Sequence, residues 1–128
     1  MFGIRPWPIT EMCGYQPKTT FWQDFCIADF AALEGDNKRA IEAINDTFER
    51  AFAEWKSDIV YLTELAMVVN WKGFEFDERN NREVCEAYVK LWKKVDGYCM
   101  TKLKDEDLRY YLKTTDLGGY GYFRKDYR

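Results

Sequence analysis

Carboxylates are the one plentiful set of catalytically competent side chains in this 128-residue chain, because it contains no His. Histidine is the usual proton carrier near neutral pH and the commonest metal ligand, so its absence removes most acid–base and nucleophile–base arrangements. What remains is metal chemistry on oxygen ligands. A magnesium-dependent all-α nucleotide pyrophosphohydrolase needs about four carboxylates converging from two helices, typically Glu-x-x-Glu with Glu-x-x-Asp, so that the metal bridges protein and phosphate oxygens. Glu83-x-x-Glu86 fits the first half, and Glu42-x-x-x-Asp46 offers an alternative half at i, i+4. Asp105, Glu106 and Asp107 follow without the required spacing. Acids three or four apart are common on any helical surface, so this is the alternative reading; no catalytic residue, metal or cofactor is expected.

Two acids stand out by their neighbours. Asp29 has Phe25, Cys26, Ala32 and Leu33 at i±3 and i±4, and Glu64 has Val60, Tyr61, Met67 and Val68. Both are placed to be semi-buried, and a buried carboxylate must be paired or protonated, so a partner such as Arg39, Arg50 or Lys56 is expected. The cysteines, Cys13, Cys26, Cys85 and Cys99, form no CxxC pair and lack a His base. They read as free thiols, inert where they join apolar stripes, and structural zinc is disfavoured. Gly118-Gly119-x-Gly121 follows a helix and precedes none, which fails the context of a phosphate loop.

The end of the chain has a different character. Tyr120, Tyr122, Phe123, Arg124, Lys125 and Tyr127 combine residue types found at protein-binding hot spots and on single-strand-binding surfaces. Protein binding or packing onto the parent domain is preferred; a weak single-stranded nucleic-acid binder acting through this tail is a further alternative. The net charge of −3 supports no global attraction for a phosphate backbone. It divides into +1 over residues 1–20, −6 over 21–116 and +2 over 117–128.

The elements that must position these groups are helical. Residues 1–18 hold all three prolines and read as an extended arm with apolar anchors Phe2, Ile4, Trp7 and Ile9. Thr19 or Thr20 can cap a helix that places Trp22, Phe25, Cys26 and Leu33 inward and stops at Gly35. Over residues 37–57, Ile41, Ile44, Phe48, Ala51, Phe52 and Trp55 recur at helical spacing, the clearest amphipathic pattern in the chain. The segment 58–72 is apolar on nearly every face, which predicts a central helix. Lys72-Gly73 is expected to end it, with a polar linker over 74–81. A further stripe runs over about 80–103, from Val84 and Tyr88 to Cys99 and Leu103, and a short helix over 105–113 turns Leu108, Tyr111 and Leu112 inward. The fold expected is an irregular all-α bundle of about five helices over residues 19–116, with the arm and the Gly-rich tail pairing as a short strand in one reading.

The segments FWQDFCIADF, AIEAINDTFERAFAEWKSDIVYLTELAMVVN and YVKLWKKVDGYCMTKLKDEDLRYYLKTTD resemble a family of small uncharacterised helical proteins from gut anaerobic bacteria and their bacteriophages. The resemblance covers about residues 19–116 and carries no catalytic or binding residue with it. It implies a mobile-element setting, in which small proteins without enzymatic equipment often act by binding a host protein. The expectation is therefore a non-catalytic protein-binding accessory or host-modulating protein, with a homodimer as one route to burying the surplus of 9 Tyr, 9 Phe and 5 Trp. No stretch reaches the roughly 18 apolar residues of a membrane span. The opening MFGIRPWPIT lacks the pattern of a secretory signal, so a reducing cytoplasm is expected.

Overall fold

The structure, a computed structural model, describes residues 21–117. Five helices account for nearly all of them: α1 (Phe21–Leu33), α2 (Asn37–Trp55), α3 (Ile59–Glu78), α4 (Arg82–Lys102) and α5 (Asp105–Leu117). The described chain has no strand, so the fold is the all-α bundle that the periodicity predicts. The N-terminal arm, its pairing with the tail, and the tail beyond Leu117 lie outside the described residues.

Two turns set the geometry. At the end of α1, Gly35 takes φ 92°, its N–H donates to Ala32 O at 3.0 Å, and the Asp36 N–H donates to Ala31 O at 2.8 Å. This Schellman turn needs left-handed backbone, which glycine adopts without the strain of a Cβ. The end of α3 repeats it at Asn80, φ 60°, with N–H donation from Asn80 to Asp77 O at 3.0 Å and from Asn81 to Phe76 O at 2.9 Å. In each turn the next residue also caps the following helix: Asp36 accepts from the Arg39 N–H at 3.1 Å and Asn81 from the Val84 N–H at 3.2 Å. Asn37 and Asn81 then exchange side-chain amide hydrogen bonds of 3.2 and 3.0 Å. The hairpins α1–α2 and α3–α4 are thereby tied at the same end.

Packing follows the apolar stripes. α1 lies along α2, α3 along α4, α2 leans on α4, and α5 packs on α3 and α4. Every residue from Leu62 to Asn70 is buried, as a central helix requires. α5 is fastened by the fully buried Tyr111, whose hydroxyl donates to the buried Asp96 on α4.

Two boundaries differ from expectation. α3 runs through Lys72-Gly73 to Glu78, so the polar linker over 74–81 is helix for most of its length. An interior glycine costs a helix about 1 kcal/mol, whereas burying a phenylalanine contributes about 1.5–3 kcal/mol. Phe76 is 2% exposed and stacks on Tyr88 with ring centroids 6.2 Å apart, so its burial prevails. α5 extends past 113 because Thr115 is buried and its hydroxyl bonds back to Tyr111 O at 2.7 Å. No helix among the described residues is long and apolar enough to cross a membrane.

Opposite effects are expected from the same substitution at two glycines. Gly35→Ala places a Cβ at φ 92° and should cost about 1 kcal/mol or more. Gly97→Ala lies within α4, where the added Cβ meets nothing within 4 Å, and should stabilise by about 0.5–1 kcal/mol. Urea unfolding of the two variants reads both signs.

Candidate functional site

The inner face of α1 carries a carboxylate into the core. The helical period puts Asp29 on the same side as Trp22, Phe25 and Ala32, and all four are buried. Its partner comes from the part of α3 beyond the expected stop. Lys72 Nζ lies 2.6 Å from Asp29 Oδ2, and both side chains are 5% exposed. The second carboxylate oxygen, Oδ1, accepts from the Tyr88 hydroxyl of α4 at 2.7 Å. Lys72 also donates to Glu75 Oε1 and to Cys26 Sγ, each at 3.3 Å, and its ammonium sits 5.7 Å from the centre of the Trp22 ring. The three ammonium hydrogens therefore face three acceptors, and an aromatic face supplies a further attraction.

The protonation states follow from this geometry. Burial is the largest influence on Lys72 and pulls its ionisation down, but Asp29, Glu75 and Cys26 together outweigh it and hold the ammonium above its ordinary value. Burial, reinforced by the adjacent Asp29, pushes the Tyr88 phenol well up. Burial also raises the Cys26 thiol, against the opposing pull of Lys72. Burial raises the Asp29 carboxyl too, opposed by the charge and hydrogen bond of Lys72 and the hydrogen bond from Tyr88. Lys72 is thus held as an ammonium, Tyr88 as a phenol and Cys26 as a thiol, none of them in its nucleophilic form near neutral pH. What this arrangement does is fix α1, α3 and α4 in one register.

The burial expected of Asp29 and Glu64 is found, at 4% and 3% exposure. The partner expected for Asp29 needs correcting, because it is Lys72. Arg39, Arg50 and Lys56 are all exposed, and Arg50 pairs with Asp46 at 3.2 Å on the surface of α2. Lys72 stands beside Gly73, and its place in the core depends on α3 continuing past that glycine.

The carboxylates of the magnesium reading are dispersed. Glu83 accepts from Asn37 at 2.9 Å, Glu86 lies 3.9 Å from Arg82, Asp46 is engaged by Arg50, and Glu42 is exposed on α2. Glu83 and Glu86 do share a groove of about 230 Å³ with Ile41, Asn45, Ala87 and Lys90. Among the described residues, no three His, Cys, Asp or Glu side chains come together as a metal site. Cys26 and Cys85 are free thiols, and Cys85 and Cys99 are buried. Tyr120, Tyr122, Phe123, Arg124, Lys125 and Tyr127 lie outside the described residues.

One surface was not anticipated. On the outer side of α1, Ile27 is 63% exposed, Phe30 37% and Leu33 38%; Leu33 is thus not part of the inward stripe. Ile27, Phe30, Ala31 and Ala43 line an apolar groove of about 310 Å³ between α1 and α2, with Glu34 and Arg39 also at its wall. The signal in the sequence was that α1 contains no Lys or Arg. Comparison with protein-family models, with curated proteins and with solved structures finds no significant match.

A double-mutant cycle tests the buried pair. Asp29→Asn or Lys72→Met alone leaves a buried charge uncompensated and should cost about 3–5 kcal/mol in urea unfolding. The double variant should cost clearly less than the sum, giving a coupling of at least about 1.5 kcal/mol.

Proposed function

We propose that this chain is a non-catalytic protein-binding module, an accessory or host-modulating factor of a phage or mobile element, and that the outer face of α1 is the recognition surface. The observation that carries this reading is the row Ile27, Phe30 and Leu33. A helix apolar on all sides normally lies inside a protein, yet this one keeps large side chains in water beside a groove. Such a surface suits the apolar side of an amphipathic protein segment, with Glu34 and Arg39 offering one charge of each sign to fix its direction. The lack of a converged carboxylate cluster among the described residues leaves this reading ahead of the hydrolase.

The test is affinity capture from the native host. Ile27→Glu together with Phe30→Glu should abolish capture of the specific partner while leaving thermal unfolding within a few degrees of the parent, and Glu42→Gln on α2 should leave capture unchanged. Capture indifferent to the α1 substitutions would remove the basis for the proposal.

A further inference from the structure

We infer that two copies of the chain pair through the outer face of α1, the face read above as the recognition surface, so that a second copy and a host partner compete for it. The competition rests on that reading; the pairing does not. A two-fold contact joins one patch to itself, so the patch must carry both members of every contact it makes. In shape, this one does. Ile27 projects from it with 63% exposure, beside the groove of about 310 Å³ whose walls include the small residues Ala28, Ala31 and Ala43. A cavity of about 150 Å³ already holds a benzene ring, so the groove has room for the isoleucine of a second copy.

Charge is self-complementary as well. The groove carries one acid and one base, Glu34 just past the end of α1 and Arg39 in the first turn of α2. Both are exposed, and neither joins the ion pairs formed among the described residues. A second copy facing the groove offers each its opposite, Glu34 to Arg39 and Arg39 to Glu34. Their position also fixes the symmetry axis. Both lie at the end of the groove beside the Gly35 turn, so they meet their counterparts only if the axis runs along α1. Rotation about that axis lays α1 of each copy over α2 of the other, and the two run antiparallel as in an up-and-down four-helix bundle. The contact is small. α1 has 13 residues, so the face it makes with α2 has a footprint of roughly 400 Å². A standard interface takes about 800 Å² from each partner, so this dimer is weak and reversible, a form that a host partner can displace.

Sedimentation equilibrium of the full chain from roughly 1 µM to 1 mM tests the pairing, and the average mass should rise from one chain towards two. Glu34→Arg alone and Arg39→Glu alone each set like charges across the contact and should weaken dimerisation about tenfold. Mixed in equal amounts, the two variants should associate about as tightly as the parent, because each then supplies the charge the other lacks. An ion pair within one chain could not produce that recovery. A single-chain mass at every concentration, dimers indifferent to Ile27→Glu with Phe30→Glu, or a mixture no tighter than its components would each overturn the inference. Absence of the dimer while the α1 substitutions still abolish capture would sink the pairing alone. Dimers lost on those substitutions while capture is indifferent to them would instead sink the recognition surface, and with it the competition.

Discussion

An ammonium group removed from water costs several kcal/mol even after the surrounding protein relaxes, and Lys72 is removed almost completely. Its burial is tolerable only because acceptors from two helices surround it: Asp29 and Cys26 on α1, and Glu75 one turn further along α3. Tyr88 then brings α4 into the same cluster through Asp29. Each of these groups has strict positional demands, since charge–charge attraction in a dry interior weakens with misplacement and loss of a partner leaves a costly unpaired charge. Apolar packing alone would let α1 slide or rotate along its neighbours at modest cost. The buried charges do not.

That register has a consequence on the other side of α1. Ile27 precedes Asp29 by two residues, about 200° around the helix, so seating the carboxylate inward turns Ile27 outward. Phe30 is exposed beside Ile27, whereas Leu33, only about 40° around the helix from Asp29, is exposed where α1 ends before Gly35. The outer face is therefore not a loosely packed region awaiting rearrangement. The same rotation that satisfies Asp29 presents it, and the rigid turn shared with α2 sets the groove beside it. A recognition surface built in this way has its backbone fixed before a partner arrives, which limits the ordering cost of binding.

Much of the fold was legible because its signals are local. Asp58 caps α3 through the Val60 and Tyr61 N–H groups at 3.0 and 3.3 Å, Gly35 stops α1, and the stripe over α2 reads directly as a buried face. The burial of Asp29 and Glu64 could also be read, from apolar neighbours one turn away on either side. Lys72 could not. Its role depends on α3 continuing through Gly73, and that depends on Phe76 meeting Tyr88 from another helix, a contact with no signature in the local sequence. The outer row of α1 was obscured for the complementary reason: a periodicity argument counts apolar residues as inward, and α1 has them on every side. The carboxylate pairs Glu83–Glu86 and Glu42–Asp46 show how spacing alone can mislead, because helical neighbours share a face without converging with a second helix.

The charge of Lys72 itself is the most direct check, followed by NMR of a selectively labelled side-chain amine as pH is raised. Desolvation alone would push a buried lysine below its ordinary ionisation near pH 10.4, whereas the surrounding carboxylates raise it. The expected result is an ammonium signal that persists above pH 10.4. Because the folded state then holds a proton that the unfolded state releases, stability from this group should be complete below about pH 10 and decline above it. A neutral amine at pH 8 or 9 in the folded protein would contradict the account, since the charge pair that fixes α1 would then be absent.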